Sequence, residues 1–187
     1  MLTEAGFPQV HSMAGGIDAW NGLVAGGAYE AGLAYFSGAS GPEELISLSF
    51  ALEEGNRAFY ERVSKDVKEE AASIFRSMGE AEERHKETLR ELHARISGKA
   101  GDPGPPEAME AGGTLEGGAP LEETLAWAKG KTLEEILDLA VAMEASALDR
   151  YIKMSRAVAD ERSREVFLAL SREERQHLER MASLLDS

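Results

Sequence analysis

The sequence contains no cysteine. Disulfides, zinc fingers, thiolate-bound iron and a cysteine nucleophile are therefore excluded from this chain. Bases are scarce too: 20 Lys and Arg stand against 34 Asp and Glu, a formal net charge of −14. That balance argues against nucleic acid and anionic membrane as partners. Aromatics make up only 6% of residues. No apolar run approaches the roughly 18 residues of a membrane span. The opening Met1-Leu2-Thr3-Glu4 lacks the basic region of a secretory signal. What remains is rich in Ala, Leu, Glu and Arg, which favour helices, and 43% hydrophobic residues suffice for a core. The expectation is a helical, cytoplasmic protein.

Proline is missing from 43–97 and from 121–187, while nine of the 19 glycines fall in 1–41 and seven in 98–118. Pro breaks helix interiors and Gly weakens them, so two helix-rich blocks follow two loop-rich ones. The chain divides into an N-terminal segment, 1–39, and a helical unit, 40–187. Ser40-Gly41-Pro42-Glu43 reads as a capping box, with Ser40 as N-cap and Glu43 reaching back. The first long helix runs from there to about Val67, and a second ends before Gly98. Pro120-Leu121-Glu122-Glu123 starts a short helix with Pro at its first position. Thr132-Leu133-Glu134-Glu135 is a second capping box. It opens a third long helix ending near Asp160, and a fourth runs on to the C-terminus. Two adjacent helices, a connection over 98–131 and two more helices predict an all-α four-helix bundle with a long crossover between helices two and three. At about 3.3 Å per residue, that connection can span a helix on the order of 38 Å long.

Apolar seams run along all four long helices. The second reads Ala71, Phe75, Met78, Glu82, His85, Leu89, Leu92, Ile96, and the fourth Phe167, Leu170, Glu174, His177, Met181, Leu184. Each is interrupted at its middle by Glu-x-x-His. The first helix gives Ile46, Ser49, Glu53, Asn56, Tyr60, Val63, Val67, and the third Leu133, Leu137, Ala140, Glu144, Ala147, Tyr151, Met154. Each of these carries one mid-seam Glu with a Tyr seven residues later. Glu53 precedes Glu82 by 29 residues, and Glu144 precedes Glu174 by 30. The pattern is that of a duplicated helical hairpin.

Four carboxylates facing one core carry −4. Burying even one unpaired carboxylate costs several kcal/mol, and neighbouring ones repel and take up protons. No Lys or Arg occupies these seams. Two divalent cations would cancel the charge, and a Glu and a His three residues apart share one helix face and can grip one ion. Glu53, Glu82, His85, Glu144, Glu174 and His177 are the candidate metal ligands. Such an oxygen-rich shell suits iron or manganese rather than structural zinc, although zinc could occupy it adventitiously.

Helical side chains lean toward the N-terminus, so Tyr60 and Tyr151 point back to the Glu level, within reach of a ligand carboxylate. His93 is expected at the surface and His11 outside the bundle. Glu54, Glu83 and Glu173 fall off the seams and are expected to be solvated. Trp20 and Trp127 are read as packing residues.

Ala51-Leu52-Glu53 through Phe59-Tyr60, Glu82-x-x-His85, Ala142-Met143-Glu144 through Tyr151, and Glu174-x-x-His177 stand in order on four helices. In these motifs residues 40–187 resemble the rubrerythrin branch of the ferritin-like superfamily. The resemblance implies a ferritin-like bundle with a non-haem di-iron centre, bridged by Glu82 and Glu174 and capped by Glu53, His85, Glu144 and His177. It implies reaction with peroxide or oxygen. Two departures stand out. Rubrerythrins proper carry a Cys-ligated rubredoxin domain, so this chain needs an external electron donor. Many have a further Glu three residues after the helix-three ligand, where this chain has Ala147. Separately, Gly6-Phe7-Pro8-Gln9-Val10 and Met13-Ala14-Gly15-Gly16-Ile17-Asp18-Ala19-Trp20 resemble the closing segment of a rhodanese domain, without the catalytic Cys that sulfurtransferase activity requires.

The first functional expectation is an oxidoreductase of oxidative-stress defence. The alternatives are an iron-storage ferroxidase and a non-enzymatic, metal-stabilised module. A homodimer is expected, since the long crossover allows helix exchange.

Overall fold

A computed structural model of the chain describes residues 41–104 and 113–185. The N-terminal segment, with the rhodanese-like stretch, Ser40, His11 and Trp20, lies outside the described residues. Among those described, five helices form: α1 (Pro42–Asp66), α2 (Glu69–Ser97), α3 (Leu121–Ala128), α4 (Leu133–Ala157) and α5 (Glu161–Leu185). There is no strand, only an isolated bridge between Thr114 and Pro120. The fold is all-α, as expected. No described helix is long and apolar enough to cross a membrane.

The helix ends follow their local chemistry, with some corrections. Helix α1 has Gly41 as N-cap in place of the expected Ser40, and the Ser40 half of the expected box lies outside the described residues. Pro42, at the first position, sets the helical φ there. Helix α2 stops where Gly98 adopts a left-handed conformation (φ 72°) and returns its N–H to the Ala94 carbonyl. The Thr132–Glu135 capping box opens α4 as predicted. Pro120 is the N-cap of α3 rather than its first residue. Helix α4 ends at Ala157, short of Asp160. Asp160 is committed elsewhere, its Oδ2 accepting from the Ser163 backbone N–H and hydroxyl at the start of α5.

The helices pair as two hairpins, α1/α2 and α4/α5, joined by the crossover. The apolar core forms two clusters. One gathers Phe59, Tyr60, Phe75, Met78, Ile136, Met143 and Met181. The other gathers Ile46, Phe50, Leu89, Leu92, Tyr151, Phe167 and Leu170. On every long helix the residues between these sets are the Glu and His of the seams. The two halves mirror each other in detail: Tyr60 stacks on Phe75 at 6.1 Å and Tyr151 on Phe167 at 6.2 Å between ring centroids.

The crossover is held against α1 at mid-height. The Glu116 N–H donates to Asn56 Oδ1 at 3.0 Å, and Gly117 and Gly118 turn the chain back at φ 86° and 87°. At Gly55 the approach is so close that an added Cβ would lie 2.1 Å from the Thr114 carbonyl oxygen. Leu115 and Leu121, either side of this strap, reach into the first core cluster. Trp127 packs half-buried against the same cluster, in the packing role expected of it.

Candidate metal centre

The structure brings all six candidate ligands into one buried layer between the two core clusters. Glu53, Glu82, His85, Glu144 and Glu174 are at most 1% exposed, and His177 is 8% exposed. Donor atoms of Glu53, Glu82, His85 and Glu174 all lie within 4.8 Å of one another, as do those of His85, Glu174 and His177. Glu174 spans the layer: its Oε1 is 3.1 Å from His85 Nδ1 and its Oε2 is 3.2 Å from His177 Nδ1. Glu53 Oε2 faces His85 Nδ1 at 3.4 Å, and Glu144 Oε2 faces His177 Nδ1 at 3.0 Å. Glu82 Oε2 lies 3.3 Å from His85 Nδ1. The imidazole rings stack, with centroids 5.4 Å apart.

Each tyrosine reaches across to the other hairpin. The Tyr60 hydroxyl donates to Glu144 Oε1 at 2.6 Å, and the Tyr151 hydroxyl donates to Glu53 Oε1. Burial keeps both phenols protonated, well above their ordinary range. Each bond engages one carboxylate oxygen and leaves the other facing a histidine.

The electrostatics of the layer are those of too many carboxylates in too little water. Burial opposes the charge on Glu53. A hydrogen bond with Glu82 and the charges of Arg150 and His85 outweigh it and hold that carboxyl well below the usual range. Glu82 moves the other way, pushed well up by burial and by the charges of Glu53 and Glu144. Burial and the charge of Glu174 raise Glu144 to about 7. Burial resists charge on His177, but hydrogen bonds with Glu144 and Glu174 lift it to about 9.

The residues fit a metal cation. Glu82 Oε2, Glu174 Oε1 and His85 Nε2 are buried without a hydrogen-bond partner. Leaving such atoms unsatisfied costs about 1–3 kcal/mol each. Carboxylate and imidazole donors in this ratio suit a hard or borderline divalent metal.

Several neighbours differ from expectation. An arginine does neutralise the layer, from just off the seam. Arg150 is fully buried, its Nη2 2.6 Å from Glu53 Oε1 and 2.9 Å from Glu116 Oε2, with its guanidinium over the Tyr151 ring. Glu116 arrives on the crossover strap; burial pushes its carboxyl up to about 7 against the pull of Arg150. Aligning the two halves sets Arg150 opposite Phe59, both six residues after the seam Glu, and that charge in an apolar register was the available signal. Glu116, in a glycine-rich loop, had none. Glu173 is exposed, yet its Oε2 stands 3.3 Å from His85 Nε2. Glu54 and Glu83 are half-exposed but paired, both to Lys86, at 2.6 and 2.9 Å. His93 is buried rather than at the surface, with Nδ1 unpartnered. Ala147 is buried where a further carboxylate was noted as missing.

A family model described as Rubrerythrin matches residues 44–110 and 135–187, well over half of the chain and inclusive of all six candidate ligands. Glu116 lies between the matched segments. No curated protein matches the chain.

Proposed function

The chain belongs to the rubrerythrin family, and from that footing we propose that Glu53, Glu82, His85, Glu144, Glu174 and His177 hold two iron ions in a peroxide- or oxygen-reacting oxidoreductase. The observation that carries this reading is the buried layer itself, with six ligand-type residues converging from four helices and donor atoms left unsatisfied at its centre. Bound ferrous ions supply the two electrons that cleavage of an O–O bond consumes. Reduction of a peroxide also takes two protons and yields an alcohol or water plus a second water.

The protein's own residues set the conditions for that chemistry. Glu174, with one oxygen toward each histidine, would contribute to holding both ions, and Glu53 and Glu144 would each help hold one. Tyr60 and Tyr151 fix the capping carboxylates through their outer oxygens and hold protons beside them. Arg150 offsets the charge of Glu53. The two apolar clusters exclude water from both ends of the layer, which strengthens every electrostatic interaction within it. The chain has no cysteine to hold thiolate-bound iron, and on this reading electrons come from a donor outside these residues.

The test is an anaerobic titration of metal-free protein with ferrous ion, followed by peroxide. Two equivalents bound per chain, then oxidised by peroxide or oxygen and restored by a reductant, is the expected result. Binding of one equivalent or none, or a loaded protein inert to both oxidants, overturns the reading.

A further inference from the structure

The buried layer meets a groove at His177. His177, the most exposed of the six candidate ligands at 8%, also lines a half-open groove of about 430 Å³ between α2 and α5. Two other approaches are covered. Glu173 stands over the outer nitrogen of His85, while Arg150 and Glu116 cover Glu53. The groove is graded. Ser73, Ser77 and Arg180 form an exposed polar rim, and Met78 and Met181 are buried at depth beside His177, with Ile74 between. Arg180 makes no ion pair among the described residues.

We propose that this groove binds the apolar substituent of an organic hydroperoxide, making a hydrophobic peroxide a substrate in preference to hydrogen peroxide. The inference rests on the peroxide-reducing function proposed above. Hydrogen peroxide needs only a narrow polar passage. Here the inner walls are two thioethers and an aliphatic side chain, which hydrogen peroxide has no means to use. Methionine adapts to irregular apolar shapes, and removing an alkyl or aryl group from water against such walls is favourable in proportion to its area. The volume falls within the roughly 300–1,000 Å³ of small-molecule sites. A hydroperoxide ROOH lying with R on Met78 and Met181 has its peroxy group at the His177 end. There the O–O bond breaks, two electrons from the external donor and two protons are taken up, and ROH and water form. ROH leaves by the same groove.

The probe is 2-phenyl-2-propanol, the unreactive alcohol left by reduction of cumene hydroperoxide. Added to the metal-free full chain, it is expected to shift the NMR methyl signals of Ile74, Met78 and Met181 saturably. Ser77→Trp, which fills the groove from its exposed rim, is expected to weaken that binding about tenfold. In iron-loaded protein the same variant should lower the ratio of kcat/KM for cumene hydroperoxide to that for hydrogen peroxide about tenfold. Unshifted methyl signals in the unsubstituted chain, or a ratio that Ser77→Trp leaves unchanged, overturn the proposal. If the alcohol binds and Ser77→Trp weakens it, but loaded protein reduces neither peroxide, the groove stands as an apolar ligand site and the redox function falls.

Discussion

Arg150 lies with its guanidinium fully buried between Glu53 at 2.6 Å and Glu116 at 2.9 Å. Removing one partner of such a group strands charge in the interior. Arg150→Met is expected to cost about 3–5 kcal/mol in urea unfolding of metal-free protein. Adding Glu116→Leu should recover a good part of it, because apolar replacement of both members is far less costly than breaking the pair. A loss under about 1 kcal/mol for the single change would mean water reaches the pair and screens it. Glu174 makes a second prediction at this scale. Since its two oxygens face different histidines, Glu174→Ala should abolish binding at both metal positions. Glu144→Ala should spare one. Ferrous stoichiometry on the two variants distinguishes them. The six candidate ligands were legible in the sequence because each interrupts an apolar helical period with the one residue type that the period forbids. Arg150 stands beside the seam, and only its alignment with Phe59 of the other half marks it. Glu116 was not legible, since it meets Arg150 only through tertiary structure.

At the scale of elements, Gly55 and the start of α5 carry the predictions. A methyl group at position 55 would collide with the Thr114 carbonyl, and backbone yields less readily than a side chain. Gly55→Ala is expected to destabilise the protein by about 1–3 kcal/mol. It should also shift the backbone amide NMR signal of Glu116, since the strap must move away from Asn56. An unmoved Glu116 signal would contradict the close approach. For Asp160, hydrogen bonds from Ser163 hold the carboxyl below its ordinary value of 3.8. A depressed folded value means the contribution is intact above the unfolded value, about 3.8, and fades as pH falls below it. Asp160→Ala should therefore lower the thermal midpoint at neutral pH and make progressively less difference in acid. Helix positions were readable from capping boxes, prolines and seam periods. The path of the crossover was not, since a loop crossing α1 at Gly55 leaves only a glycine inside a helix as its sign, and a glycine there has many meanings.

Over the whole molecule, the four seam carboxylates and the formal charge of −14 make the folded state dependent on what neutralises its interior. Ferrous ion at about 100 times its Kd should stabilise the fold by roughly 2.7 kcal/mol per independent site. Thermal unfolding under anaerobic conditions, with and without a chelator, reads this directly. An unchanged midpoint would show that the folded layer does not take metal. The duplicated hairpin was legible because its two halves keep the same order and nearly the same spacing. Its asymmetry was not, because it arises from Arg150 on one half meeting Glu116 from the segment that joins them.

The division of the core by the Glu–His layer also acts as an index pin for assembly. Apolar seams alone let one hairpin slide along the other by a helical turn, about 5.4 Å, and find another greasy fit. With the layer present, such a slip would drive Glu144 and Glu174 into the aromatic and methionine clusters, far from Tyr60 and His85, and would carry Arg150 away from Glu53. A buried polar position fixes register in coiled coils for the same reason. Here it leaves the two halves of the repeat one alignment in which Glu53 and Glu144 each meet a tyrosine hydroxyl from the opposite half.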